Sequence, residues 1–269
     1  MNSELQGKRV LIVGGVGDGI GGAVTRAVAN SGAAGVVVTS RSLERAEAAA
    51  TEIRSASTNA FGIAGDVLNG EDIKRVVDET VKKLGGVDAL ITVVGGSSAF
   101  VPWQPLDETS DEDWDLIFDI NIRYVSRYVR AVLKVFLAQG TGGTITSVGS
   151  NLGVFGAPMA AAYGAAKASL MSLAKSVAAE YGRRGIRMNI INSGTVVTEA
   201  IRDTISDPAT FFQQVPMGRP GTPEEIAQAV VFCSSPRSAY MTGQSINVDG
   251  GVTSRYPLAL PKTDISMSG

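Results

Sequence analysis

The chain holds 269 residues, 44% of them apolar and 19% charged, with a formal net charge of −2. Those proportions describe a globular chain with a sizeable core. With no long run of one sign, they exclude nucleic acid or an anionic membrane as the expected partner, because either selects a basic patch. Histidine is absent and Cys233 is the one cysteine, which removes Ser-His-Asp and Cys-His sites, disulfide frameworks and Cys/His metal centres. No metal is therefore expected, and acid-base chemistry must come from Tyr, Lys, Asp, Glu, Ser or a bound cofactor. Cys233 sits in an apolar run and is expected to be a buried, inert thiol. Residues 1–8 are polar and no apolar stretch reaches membrane-spanning length, so a soluble cytoplasmic protein is expected.

Apolar runs alternate with helical patterns along the chain. Strands are predicted at 9–13, 35–39, 61–66, 89–94, 143–148, 187–192 and 245–248, and helices at 21–31, 43–56, 70–84, 110–138, 160–181 and 223–234. The strand segments are short, continuously apolar and rich in Val and Ile, as strands buried on both faces should be. Such β-α alternation predicts an α/β fold, a parallel sheet covered by helices, with no composition break to mark a second domain. Ser110 before Asp111, Glu112 and Asp113, and Thr222 before Pro223, Glu224 and Glu225, are helix-start signals. In 160–181 small and apolar residues occupy almost every face, so that helix is expected to be covered all round. A second subunit covers an outer helix most easily, which predicts a homo-oligomer, dimer or tetramer, through helices 110–138 and 160–181. Residues 252–269 lack periodicity and are expected to form a tail or an oligomer arm.

The first strand runs into Gly14-Gly15-Val16-Gly17-Asp18-Gly19-Ile20-Gly21-Gly22 and then into a helix. A strand, a glycine loop and a helix N-terminus present bare N–H groups to a pyrophosphate. The string reads in two registers, Gly17/Gly19/Gly22 or Gly15/Gly19/Gly21; the second is preferred because its first glycine lies nearer the strand. After the second strand, where an acidic residue would bind the ribose of NAD, the chain has Ser40 and Arg41. These suit a 2′-phosphate, so NADP(H) is expected, with NAD(H) the alternative and Asp18 a contrary charge. Tyr163 and Lys167 stand four apart on a helix, so they share a face, and an ammonium beside a phenol is expected to lower the phenol's pKa.

Taken in order, Gly15-x-x-x-Gly19-Ile20-Gly21, Asp66-Val67, Asn121, Ser150, Tyr163-x-x-x-Lys167, Asn189, Gly194 with Thr198, Pro216-Met217-Gly218-Arg219 and Asp249-Gly250-Gly251 resemble the short-chain dehydrogenase/reductase family, from about Lys8 to Gly251. The resemblance implies a Rossmann-type, doubly wound, mostly parallel seven-stranded sheet with helices on both faces, in one catalytic domain over 1–251. It implies an oxidoreductase moving a hydride between NAD(P)(H) and a ketone or secondary alcohol. Tyr163 would exchange a proton with the substrate oxygen. Lys167 would bind the nicotinamide ribose, Ser150 would hydrogen-bond the substrate, and Asn121 would hold a relay water. Asp66 and Val67 would flank the adenine, Gly95 would back the cofactor, and Val196 and Thr198 would fix the carboxamide. Three positions depart from the family pattern. Thr92-Val93-Val94-Gly95 stands for Asn-Asn-Ala-Gly, Gly14 for a threonine, and Ser193-Gly194 for Pro-Gly. Substrate contacts are expected from 97–105, 151–159 and a lid at 199–215. Their Phe100, Val101, Trp103, Leu152, Val154, Phe155, Met159, Ile201, Phe211 and Phe212 favour an apolar ketone. An NAD-dependent alcohol dehydrogenase and a non-catalytic cofactor sensor are the alternatives; the four-residue Tyr-Lys spacing counts against a divergent enoyl reductase.

Overall fold

A computed structural model of the chain describes residues 4–55, 58–97, 99–197 and 212–254. Seven strands, β1 (Arg9–Val13), β2 (Gly35–Ser40), β3 (Asn59–Ala64), β4 (Ala89–Thr92), β5 (Gly143–Ser150), β6 (Ile186–Ser193) and β7 (Ser245–Val248), form one sheet in the order β3-β2-β1-β4-β5-β6-β7. Every pairing is parallel. Both faces of the sheet are covered, and side chains alternate between two cores. Leu11, Val13, Leu90, Ile145 and Met188 pack under α3 (Gly70–Leu84), α5 (Tyr124–Gln139) and α6 (Ala161–Tyr181). Val10, Ile12, Val36, Ile91 and Ile191 pack under α1 (Ile20–Asn30), α2 (Leu43–Ile53) and α7 (Pro223–Ser234). The expected doubly wound Rossmann-type sheet is what forms.

The predicted helix starts are present as caps. Ser110 accepts from the Asp113 N–H at 3.1 Å to open α4 (Asp111–Phe118). Thr222 and Glu225 form a reciprocal capping box at α7, with Pro223 at its first position. Other boundaries differ from the sequence reading. The expected helix 110–138 is divided: a π-turn, Asp119–Arg123, separates α4 from α5. β4 ends at Thr92, two residues early, because its partner β1 ends where Val13 faces Thr92 and glycines follow. β3 begins two residues early at Asn59 because β2 pairs with it from Gly35 onwards.

In α6 the buried side is Ala162, Gly164, Ala166, Lys167, Leu170, Ala174 and Val177, while Ala161, Ala165, Ala168 and Leu173 stay partly exposed. Cys233 is buried, and burial pushes its thiol up to about 11. No helix among the described residues is long and apolar enough to cross a membrane. Most of the expected lid, and the chain beyond Ser254, lie outside the described residues.

Candidate active site

The strand order reverses direction between β1 and β4. In an open parallel sheet, that reversal leaves a crevice beyond the carboxyl ends of the strands. The β1–α1 loop lies there, and its glycines are sterically required. A Cβ on Gly15 would sit 2.4 Å from Thr25 Oγ1, and one on Gly21 would sit 2.1 Å from the Gly14 carbonyl oxygen. Gly22 of the alternative register is equally constrained, its Cβ 1.7 Å from the Gly17 oxygen, so steric need does not separate the two registers. Gly19 is the N-cap of α1 and supplies no side-chain cap. The first N–H groups of that helix thus have no competing side chain, which fits a pyrophosphate.

At the end of β2, Ser40 Oγ accepts from the Ser42 N–H at 3.3 Å, and Arg41 is exposed beside it. The sequence reading missed Arg45. From the first turn of α2 it carries its guanidinium back over the glycine loop, with Nη2 3.4 Å from where a Gly17 Cβ would be. The signal was a second arginine four positions after Arg41, one helical turn into α2. After β3, Asp66 Oδ1 accepts from Leu68 N at 2.9 Å and the Asp66 N–H donates to Asp72 Oδ2 at 3.0 Å. Val67, in this turn, is buried.

On the other side of the crevice stand Ser150, Tyr163, Lys167 and Asn121. Ser150 closes β5 and accepts from Leu152 N at 3.2 Å. Tyr163 and Lys167 lie one turn apart on α6, with Lys167 Nζ 5.6 Å from the Tyr163 ring centre. Lys167 is 3% exposed and donates to the Val148 carbonyl at 3.1 Å; burial holds its pKa down at about 8, from an ordinary 10.5. The Tyr163 phenol departs from expectation. Burial raises its pKa, and the nearby Ser150 hydroxyl, rather than Lys167, pulls it back.

Asn121 lies in the π-turn, fully buried. Its side chain accepts from Gly96 N at 3.1 Å and donates to the carbonyls of Gly96 and Ile117, each at 2.9 Å. Both amide protons are engaged, while Oδ1 accepts one bond and keeps a second lone pair. A Cβ on Gly95 would fall 2.6 Å from Asn121 Oδ1 and 2.8 Å from Lys167 Nζ, which places Gly95 against both groups.

Two of the departures from the family pattern make side-chain hydrogen bonds of their own. Thr92 Oγ1 donates to Ser147 Oγ at 2.7 Å, tying β4 to β5. Ser193 Oγ donates to the Gly194 carbonyl at 2.9 Å. Val196 forms a parallel bridge with Gly221 after β6; Thr198 lies outside the described residues. Around the mouth, Phe100, Trp103, Val154, Phe155 and Met159 are each 41–55% exposed, and Gln104 N donates to the Met159 carbonyl at 2.9 Å, joining the two loops. Two expected substrate contacts are packing instead. Val101 is buried with Ile117, Ile120, Ala162 and Ala166, and Phe212 is 8% exposed. Ile201 and Phe211 lie outside the described residues.

The family model described as Enoyl-(Acyl carrier protein) reductase matches residues 15–253. The A-factor type gamma-butyrolactone 1'-reductase (1S-forming) of Streptomyces virginiae is 34% identical over 249 residues, 91% of this chain and 95% of that one. The glucose 1-dehydrogenase of Gluconobacter oxydans is 33% identical over 251 residues, 92% of each chain. A crystal structure of a short-chain type dehydrogenase/reductase from Mycobacterium marinum superposes with a TM-score of 0.87 at 31% identity, over 94% of this chain and 98% of the other. With the glycine cradle, the Tyr-Lys pair and these likenesses together, the chain belongs to the short-chain dehydrogenase/reductase family, NAD(P)-dependent oxidoreductases acting on a CH–OH/C=O pair.

Proposed function

We propose that this enzyme is an NADP(H)-dependent ketoreductase for a mostly apolar ketone. The observation that carries the reading is the placement of Tyr163 and a buried, cationic Lys167 on one face of α6, beside Ser150. In reduction, Ser150 holds the carbonyl oxygen by a hydrogen bond, and the Tyr163 phenol gives that oxygen a proton as negative charge develops on it. When bound, the nicotinamide supplies the hydride. Lys167 would bind the adjoining ribose and stabilise the phenolate left on Tyr163, and Asn121 would hold the water that relays a proton back from Lys167. Gly15, Gly19, Ile20 and Gly21 seat the pyrophosphate. Asp66, Val67, Gly95, Val196 and Thr198 line the rest of the cofactor path.

Ser40, Arg41 and Arg45 favour a 2′-phosphate, since two guanidiniums and a hydroxyl outweigh Asp18. The exposed aromatic and aliphatic side chains at the mouth favour an apolar substrate, because such a surface binds by the area it removes from water. Relatives of nearly equal identity carry names that point to a lactone and to a sugar, so the rim carries this reading and likeness does not. Residues 199–215 act as the lid, and 252–269 as a tail or oligomer arm. A second copy covers the exposed faces of α4, α5 and α6. Antiparallel packing would set the acidic Asp111, Glu112 and Asp115 of one copy against Arg127, Arg130 and Lys134 of the other.

Fluorescence titration with NADPH and NADH tests the cofactor assignment. Arg41→Ala and Arg45→Ala should each weaken NADPH binding by about tenfold, the worth of a charge-assisted contact, and leave NADH unchanged. NADH binding equal to NADPH in the native chain overturns the assignment. Tyr163→Phe should keep cofactor binding and lose reduction of an aryl or alkyl ketone.

A further inference from the structure

Three residues after β4, Val94, Gly95 and Gly96, form the wall between the glycine loop and Lys167. On one side, a Cβ on Gly14 would meet Val94 Cγ2 at 2.5 Å; on the other, Gly95 lies against Asn121 and Lys167. This wall is irregular backbone, with no strand partner beyond Val93, whose N–H donates to the Val13 carbonyl at 2.9 Å. Beyond that point it is held from outside the sheet, by side chains of the helix layer. Asn121 holds Gly96 at both of its polar atoms. The Val94 carbonyl is held by the Tyr124 hydroxyl, which donates to it at 2.7 Å.

We propose that Tyr124 is a positioning residue of the cofactor cleft: its buried hydroxyl, acting with the Asn121 amide, fixes the 94–96 wall that sets where the Lys167 ammonium stands. Tyr124 is 1% exposed and meets Tyr128 edge to face, with ring centres 6.3 Å apart. It is the first residue of α5 after the π-turn. That turn carries Asn121 and leads directly into Tyr124, the two residues that grip the wall, and a wide turn of this kind often marks a functional position in a helix. The Lys167 ammonium keeps the Val148 carbonyl as its acceptor at 3.1 Å. Thr92, beside the same phenol, ties the strand below to Ser147. The wall is thus anchored to α5 and to β5 at once. The inference rests on reading Lys167 as the ribose-binding cation.

The test is Tyr124→Phe, which removes one oxygen and keeps the ring, in the full chain. Hydrogen exchange at the Gly96 amide should quicken by about fivefold to tenfold, the equivalent of one hydrogen bond. NADPH affinity should fall by a similar factor, and the pH midpoint of NADPH binding, which follows Lys167, should move. Site-specific meta-fluorotyrosine at 124, of the same shape and a stronger donor, should keep native exchange and affinity. A lower melting temperature with unchanged Gly96 exchange, NADPH affinity and pH midpoint would make Tyr124 a packing residue only and overturn the proposal. If the native chain binds neither NADPH nor NADH, the cofactor reading fails by itself, and Gly96 exchange in the two variants still decides for or against Tyr124.

Discussion

The two walls of the crevice are built by opposite means. The β1–α1 loop is held by near neighbours in the chain: Thr25 Oγ1 donates to the Gly15 carbonyl at 2.8 Å, and Gly15 and Gly21 approach Thr25 and Gly14 so closely that no side chain fits. The 94–96 wall is held by side chains from a distant helix, Asn121 and Tyr124, with Thr92 and Ser147 beneath it. A loop of the first kind is written into consecutive residues. One of the second kind is written into residues some 30 positions away, and tolerates replacement if the distant partner changes with it. The wall is gripped at its backbone atoms, the Val94 carbonyl and the Gly96 N–H and carbonyl, so the grip does not depend on the side chains of 94–96.

The contrast can be broken most violently at Gly21. Gly21→Val, with its Cβ 2.1 Å from a backbone oxygen, should cost about 3 kcal/mol or more, the upper range for overpacking, and abolish the NADPH fluorescence change. Native-like melting and binding in this variant would show that the backbone can yield there.

Lys167, which stands against the side-chain-held wall, gives the next largest effect. Its pKa in the fold, about 8, lies below the ordinary 10.5, so folding disfavours its charged form. That penalty is present in full below pH 8 and fades as pH rises to 10.5. Lys167→Met should therefore stabilise the chain at pH 7 by up to about 3 kcal/mol, less the cost of an orphaned Val148 carbonyl. The gain should shrink on chemical denaturation at pH 9 and vanish near 10.5. A gain independent of pH would assign the effect to packing.

A double-mutant cycle across Gly14 and Val94 sharpens the comparison, because it joins the two walls. Gly14→Ala forces a Cβ into Val94 at φ +86° and should cost about 2 kcal/mol. Adding Val94→Ala should return about 1 kcal/mol, leaving the backbone strain. Strict additivity of the two changes would mean that the walls do not touch in solution.

This division also explains what could be read in the sequence. The strand and helix segments, the glycine loop, the caps at Ser110 and Thr222, and the Tyr163–Lys167 pair each depend on neighbours a few positions apart, so spacing reveals them. The π-turn is invisible to periodicity, because one extra residue in a long apolar pattern still reads as helix. The early end of β4 was masked by Val93 and Val94, whose apolar character suits a strand while their place beyond the end of β1 does not. Arg45 and Tyr124 reach their partners through tertiary folding, as does the burial that raises Tyr163 against the pull expected from Lys167. Val101 looked like a pocket residue for the same reason: hydrophobicity alone does not say whether a loop side chain turns inward.

The chain has two tryptophans, and they fall in contrasting places. Trp114 stacks on Phe118 at 5.6 Å, while Trp103 stands 55% exposed at the rim. The protein therefore carries an optical reporter at its own mouth. Iodide should quench the red-edge emission of Trp103 and spare Trp114, and an apolar ketone settling on the rim should shield Trp103 before any turnover occurs. Candidate substrates can thus be ranked by the light of one indole.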